Sequence, residues 1–216
     1  MSAGVVRITI GFDFICPWCL IGLRHLQQAL LQLHASLPGV RVHIEWQGRQ
    51  LLPHTPGGGL PFRSFYLQRL GSEQAVRQRQ HQVSTAAEAA GARVDYDRIE
   101  RISNTADAHR LLQHVQQHGS AAQRDRLLES LMVAYFERGE DLADPDILLT
   151  HALAAGVATR PLLTSLQGAA VPFASRGGGS SVPSYSFSNG LSISGAQGPA
   201  VLLAAMQTAL VLGEAA

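Results

Sequence analysis

The chain reads as an α/β fold in which a strand–helix–strand unit opens, a block of helices interrupts, and a strand–strand–helix unit closes. Three observations predict it. Residues 5–12 and 40–46 alternate apolar and polar side chains, while between them Leu20, Leu23, Leu26, Leu30, Leu33 and Leu37 recur at spacings of three and four. Residues 62–167 show one helical pattern after another with hardly a strand signal. Beyond them, two short strand-like runs flank Ser188-Asn189-Gly190, and an apolar helical run follows.

In chain order, the first strand hands over to a helix of about five turns, with Pro17 as an early helical residue whose missing N–H would be unpaired there in any case. A second strand after such a helix begins a parallel sheet with a crossover connection. A break rich in proline and glycine follows at Pro53, Pro56, Gly57, Gly58, Gly59 and Pro61. Within the helical block, Asn104 is placed to cap a helix whose first turn carries Asp107. Leu127, Leu128, Leu131, Met132, Tyr135 and Phe136 form a stripe read as core, stopped near Gly139. Asp144-Pro145 opens a helix through Ala155, with Gly156 beyond its end. Tyr185-Ser186-Phe187 and Leu191-Ser192-Ile193 read as a hairpin about Asn189-Gly190, and a last helix runs from about Pro199 to Leu212 with Val201, Leu202, Met206, Leu210 and Val211 on its apolar side. This order is that of a thioredoxin-like sheet (β-α-β … β-β-α) interrupted by a large all-helical insertion. The sheet domain is expected over 1–58 and 168–216 and the insertion over 59–167.

The two cysteines of the chain, Cys16 and Cys19, stand in the run Cys16-Pro17-Trp18-Cys19 where the first strand meets the first helix. A Cys-X-X-Cys pair at a helix N-terminus is the arrangement of a thiol–disulfide redox centre. The first helical turn presents free N–H groups and the positive end of the helix dipole, which stabilise a thiolate at Cys16. Cys16 is therefore the expected nucleophile and Cys19 the residue that attacks the resulting mixed disulfide. Pro17 and Trp18 carry no charge and set backbone geometry and an apolar contact beside the sulfurs. A zinc half-site and two inert core thiols are the competing readings. Structural zinc takes four ligands, whereas the nine histidines are scattered without ligand spacing to the cysteines, so no metal is expected.

Of the 216 residues, 46% are hydrophobic and 15% charged, and the formal net charge is +1. That balance suits a globular domain and argues against nucleic-acid or anionic-membrane partners. The cluster of Arg77, Arg79 and His81 reads as a solvated helix face. No signal-peptide pattern precedes the first strand, and no run of about eighteen apolar residues is present, so a cytoplasmic protein is expected. In that compartment a Cys-X-X-Cys pair is catalytic or sensing rather than a structural staple.

These motifs resemble the DsbA-type oxidoreductases of the thioredoxin fold, in particular the cytoplasmic FrnE-like branch. The resemblance is carried by Asp13-Phe14-Ile15-Cys16-Pro17-Trp18-Cys19 with Gly22, by Ser103-Asn104-Thr105 with Ala108-His109-Arg110-Leu111, by Tyr135-Phe136 through Gly139, Asp141 and Asp144, and by Val182-Pro183, Asn189-Gly190 and Ser194-Gly195-Ala196-Gln197. It implies that Pro183 is a cis-proline facing the redox motif and joins Cys16 and Cys19 in the catalytic set. The backbone of Val182 would then pair with an extended substrate. It further implies that Pro17, Trp18, Asn104 and His109 line the substrate cleft, although Asn104 reads equally as a plain cap and His109 as a packed core residue. Asp13 is a candidate proton relay for Cys19, against the plainer reading of a polar residue satisfying the backbone at the strand end. The implied partners are protein or low-molecular-weight thiols and disulfides, with no bound cofactor, glutathione or another small thiol as co-substrate, and a homodimer as a candidate assembly.

One stretch departs from the family pattern. Ahead of Pro183, residues 171–181 carry a proline and three glycines, which weaken a helix by about 3 and about 1 kcal/mol per residue respectively. The stretch reads as a loop or a shortened helix. Two other functions compete with the oxidoreductase. One is a glutathione-dependent isomerase of the 2-hydroxychromene-2-carboxylate type, whose members place a serine where Cys16 stands. The other is a non-catalytic peptide-binding or chaperone-like module.

Overall fold

The computed structural model describes residues 4–160, 162, 166–168, 170–171, 173–174 and 181–213. Its central strand, β1 (Val5–Phe12), is followed by α1 (Pro17–Ser36) and β2 (Arg41–Gly48). β1 and β2 run parallel with Ile8 opposite Ile44. The chain returns to this sheet through β5 (Ser184–Phe187) and β6 (Ser192–Ser194), giving the strand order β2-β1-β5-β6 with β5 antiparallel to β1. Val6, Ile8, Ile10 and Phe12, the alternating residues of β1, are each at most 2% exposed, as expected of a strand with neighbours on both edges and helices against it. α1 and α7 (Pro199–Gly213) pack against each other beside the sheet. The leucine stripe of α1 stops one step earlier than its spacing suggests. Leu37 is the C-cap and is exposed, because the residue before Pro38 is disfavoured in the helical region. In the last helix Leu202 and Met206 are buried but Val201 is exposed, and the side chain of Val211 lies outside the described residues.

Between β2 and β5 lie α2 (Phe62–Leu70), α3 (Glu73–Ala89), α4 (Ala106–His118), α5 (Ala121–Arg138) and α6 (Pro145–Ala154). Their ends follow capping chemistry. Ser120 and Gln123 form a reciprocal capping box on α5, whose far end turns at Gly139 with φ of 68°. Asp144 accepts a hydrogen bond from the Asp146 N–H ahead of Pro145. The N-cap of α4 is Thr105 rather than Asn104, and Asn104 serves from one position earlier by accepting the Ala106 N–H at 2.9 Å. The block also holds two strands, β3 (Leu60–Pro61) and β4 (Arg101–Ile102), paired antiparallel. Of the two only β4 falls within residues 62–167, read as helix after helix, and a two-residue strand is too short to show an alternation.

At the α5–α6 junction, His151 is hydrogen-bonded to Ser130 Oγ at 2.6 Å and to Glu140 Oε2 at 2.7 Å, while Arg138 donates to the other oxygen of Glu140. Burial works against ionisation of Glu140, but the hydrogen bonds from His151 and Arg138 outweigh it and hold the carboxyl below its ordinary value of 4.5. A carboxyl whose folded pKa is lowered contributes stability that is present above 4.5 and lost as pH falls through the lower, folded value. Acidification from 4.5 down to that lower value is therefore expected to lower the melting temperature of the native chain more steeply than that of Glu140→Gln. Parallel slopes from pH 5 to 3, followed by thermal denaturation, would show that this junction contributes nothing to acid sensitivity.

Candidate active site

Cys16 is the N-cap of α1 (φ −92°, ψ 107°) and Pro17 occupies the first helical position. The Cys16 carbonyl accepts from the N–H groups of Cys19 (2.9 Å) and Leu20 (3.3 Å), so the first helical turn holds the two cysteines in fixed relation. Both are free thiols, 5% and 3% exposed. Their surroundings differ. Cys16 forms part of the wall of a cavity of about 650 Å³, whereas Cys19 does not reach it. Burial pushes the Cys19 thiol well above its ordinary value; a hydrogen bond with Cys16, the charge of Cys16 and the charge of Asp13 add to this, and a hydrogen bond to the Asp13 backbone opposes it.

The loop before β5 closes the site from the far end of the chain. The Cys16 Sγ lies 3.9 Å from the Val182 carbonyl oxygen, across 166 positions of sequence. The Val182–Pro183 peptide bond is cis. Val182 and Ser181 line the cavity beside Cys16, Pro17 and Trp18, and Pro183 is buried against α1. Gly22 permits this approach. A Cβ there would lie 3.1 Å from Pro183 Cγ and inside the van der Waals distance of the Tyr185 hydroxyl.

Asp13 and His109 lie beneath this surface. Asp13 follows β1, and its side chain and that of His109 from α4 are both fully buried. Asp13 Oδ1 is 3.1 Å from His109 Nε2, and Oδ2 accepts the Leu51 N–H at 2.7 Å. The imidazole is packed among the rings of Phe12, Phe14 and Phe173, stacked on the last at 5.2 Å and 28°. Asn104 is equally committed: Nδ2 donates to the Thr55 carbonyl, and Oδ1 accepts from Gln50 Nε2 and the Ala106 N–H. Neither Asn104 nor His109 lines the cavity. Both are candidates for substrate contact; the Asn104 amide ties α4 to residues 50–55 and His109 Nε2 meets Asp13, while His109 Nδ1 is buried with no hydrogen-bond partner among the described residues. Within the departing stretch, Phe173 is held by its N–H on Gln50 Oε1 at 2.8 Å and Val171 by Arg110; residues 172 and 175–180 lie outside the described residues.

The remainder of the cavity wall comes from the helical block, and sequence reading missed it. Phe62, Phe65 and Tyr66 of α2, Val76 and Val83 of α3, Tyr96, Ile102, Tyr135 and Phe136 line the cavity together with Cys16, Pro17 and Trp18. Tyr135 and Phe136, read as core alone, are both core and wall. Arg77, Arg79 and His81 are exposed, as the reading of a solvated face expects, and Arg79 also lines the cavity with its guanidinium 5.4 Å from the Trp18 ring centroid. Among the described residues no three metal-ligating side chains converge, and no helix is long and apolar enough to cross a membrane.

Comparison with known proteins accords with this arrangement. Residues 7–176 match the model of the DSBA-like thioredoxin domain. No curated protein matches the chain. Among solved structures, a "probable DsbA oxidoreductase" from Streptomyces coelicolor aligns with a TM-score of 0.79 and 23% identity, over 94% of this chain and 89% of that one. A 2-hydroxychromene-2-carboxylate isomerase aligns with a TM-score of 0.60 and 12% identity, over 97% and 98% of the two chains. The cytosolic disulfide reductase DsbM from Pseudomonas aeruginosa, solved with GSH, aligns with a TM-score of 0.57 and 13% identity, over 95% and 99%. At these identities the likeness is one of fold.

Proposed function

The chain belongs to the DSBA-like thioredoxin domain family, and from that premise we propose that it is a thiol–disulfide oxidoreductase with Cys16 and Cys19 as its redox couple. The observation that carries the reading is the asymmetry of the two thiols: Cys16 opens on the cavity, and Cys19 is held behind it with a thiol that burial keeps protonated. In the proposed reaction the Cys16 thiolate attacks one sulfur of a substrate disulfide. The substrate S–S bond breaks, a mixed disulfide forms, and the first substrate thiolate departs with the bonding electron pair. Cys19 then loses its proton and attacks Cys16 Sγ, which releases the second thiol and leaves a Cys16–Cys19 disulfide. Two electrons have passed to the substrate, and a small thiol such as glutathione returns them.

Pro17, Trp18 and Val182 shape the mouth of the site in this reading, and Pro183 backs it. Asp13 and His109 position the strand end beneath Cys19. The glutathione and the cytosolic setting named for DsbM support a small-thiol partner and a cytosolic location for this chain too. An isomerase shares the fold, but the presence of both cysteines favours the redox couple.

The test is equilibration of the purified protein in graded glutathione buffers, followed by thiol alkylation and mass analysis. A reversible internal disulfide is expected, with a potential between the thioredoxin-like and DsbA-like limits of about −270 and −120 mV. Failure to form it at any poise would remove the redox reading and leave the isomerase.

A further inference from the structure

We infer that the cavity beside Cys16 selects low-molecular-weight disulfides that carry carboxylates on an apolar, ring-like body, and that Arg69 and Arg79 supply the selection. The inference rests on the oxidoreductase reading, whose substrate class it names.

Both arginines occupy apolar stripes. On α2, Phe62, Phe65, Tyr66 and Arg69 follow the i, i+3, i+4, i+7 spacing of one helix face, and on α3 so do Val76, Arg79, Gln80 and Val83. All eight line the cavity. Both arginines are exposed residues of this lining, so their charges stay solvated and open to an anionic ligand. Among the described residues neither arginine has a carboxylate partner: Arg79 lies 5.4 Å from the Trp18 ring centroid and donates to Gln82 at 2.8 Å, and Arg69 lies 6.0 Å from the Phe65 ring centroid. The described lining holds these two cations and no Asp or Glu.

The charges lie close to the chemistry. Burial pushes the Tyr66 phenol up, and among its charged neighbours Arg69 and Arg79 oppose that shift while Cys16 adds to it. One hydroxyl thus feels the nucleophile and both guanidinium groups. The rest of the wall is mostly apolar, with aromatic side chains such as Phe62, Phe65 and Tyr96 beside aliphatic ones such as Leu51, Leu52 and Val83. A volume of about 650 Å³ lies within the 300–1,000 Å³ usual for small-molecule sites. Such a surface suits a flat apolar body whose carboxylate meets the arginines while its disulfide lies on Cys16. The arginines also sit on α2 and α3 of the helical block, whereas the cysteines stand at the start of α1, so substrate choice and redox chemistry belong to separate parts of the chain.

The test uses the full-length Cys19→Ser protein, in which reaction stops once one S–S bond has been exchanged and one thiolate has left. Rates of that step are measured with 5,5′-dithiobis(2-nitrobenzoate), an anionic aromatic disulfide, with uncharged 2,2′-dithiodipyridine, and with cationic cystamine. Expected is a rate ratio of anionic to uncharged aromatic probe that falls about tenfold or more in Arg69→Gln/Arg79→Gln, a change of about 1.4 kcal/mol in relative barrier. The same ratio should shrink in the unmodified background as added salt screens the exposed guanidinium groups. A ratio unchanged by the double substitution overturns the inference, as does cystamine reacting as fast as the anionic probe in the unsubstituted background. Loss of reaction with all three probes in the Arg69/Arg79-intact protein would instead overturn the oxidoreductase reading beneath it.

Discussion

Replacing Cys19 with serine is expected to convert turnover into a single stoichiometric event, with one substrate half held on Cys16 per chain, whereas Cys16→Ser should react with no disulfide at all. The expectation follows from position. Cys16 is the sulfur that faces the cavity, and Cys19 is 3% exposed. Removing the inner thiol leaves the first exchange intact and deletes the attack that releases the product. Mass analysis after exposure to a disulfide would show the adduct, and its absence from the Cys19→Ser protein would refute the attack-and-resolve assignment. The rate of the second step carries a further signature. Burial is the largest cause of the raised Cys19 thiol and persists in the mixed disulfide, while the charge of Cys16 and its hydrogen bond as a thiol are lost once that sulfur is bonded to the substrate sulfur. Cys19 is thus eased toward ionisation at the stage that needs it, but remains above the ordinary thiol value. Product release should quicken by about one decade per pH unit through neutrality, as a step limited by a thiolate fraction must.

The second large effect is expected at Asp13. Asp13→Ala would strip the Leu51 N–H and the buried His109 Nε2 of their acceptor at once, a loss of about 3–5 kcal/mol for breaking a buried polar pair from one side. Asp13→Asn retains an oxygen for Leu51 and should lose about half as much. Urea denaturation of the two variants measures the difference; equal and small losses would mean that the pair does not hold the strand end to α4. A separate readout tests positioning. The charge of Asp13 adds to the upward shift of Cys19, so the resolving step of Asp13→Asn should move to lower pH even where stability is restored by a stabilising osmolyte.

Legibility from sequence tracked the range of each interaction. The alternation of β1, the leucine spacing of α1 and the Asn189-Gly190 turn are local patterns, and the α/β architecture follows from them. Cys16 and Cys19 are three residues apart, so their chemistry is also local. The Asp13–His109 contact spans 96 positions and the Asn104–Thr55 contact 49, and no periodicity reports such distances. Arg79 was hidden differently. It is exposed, as its cluster with Arg77 and His81 suggests, and the helical spacing from Val76 to Val83 was the signal that it also borders the cavity.

The strand order has a consequence for how the molecule comes into being. β1 lies between β2, which follows it closely, and β5, which is reached only after the whole helical block. On the ribosome the thiols emerge well ahead of the segment at Val182, 166 positions after Cys16, that covers them. Meanwhile β1 presents an open edge on which another strand can be templated, and a fold dominated by such remote pairings assembles slowly. The nascent chain therefore passes through its greatest exposure to oxidants and to aggregation before its cavity exists, and early docking of β2 and α1 against β1 is its main protection.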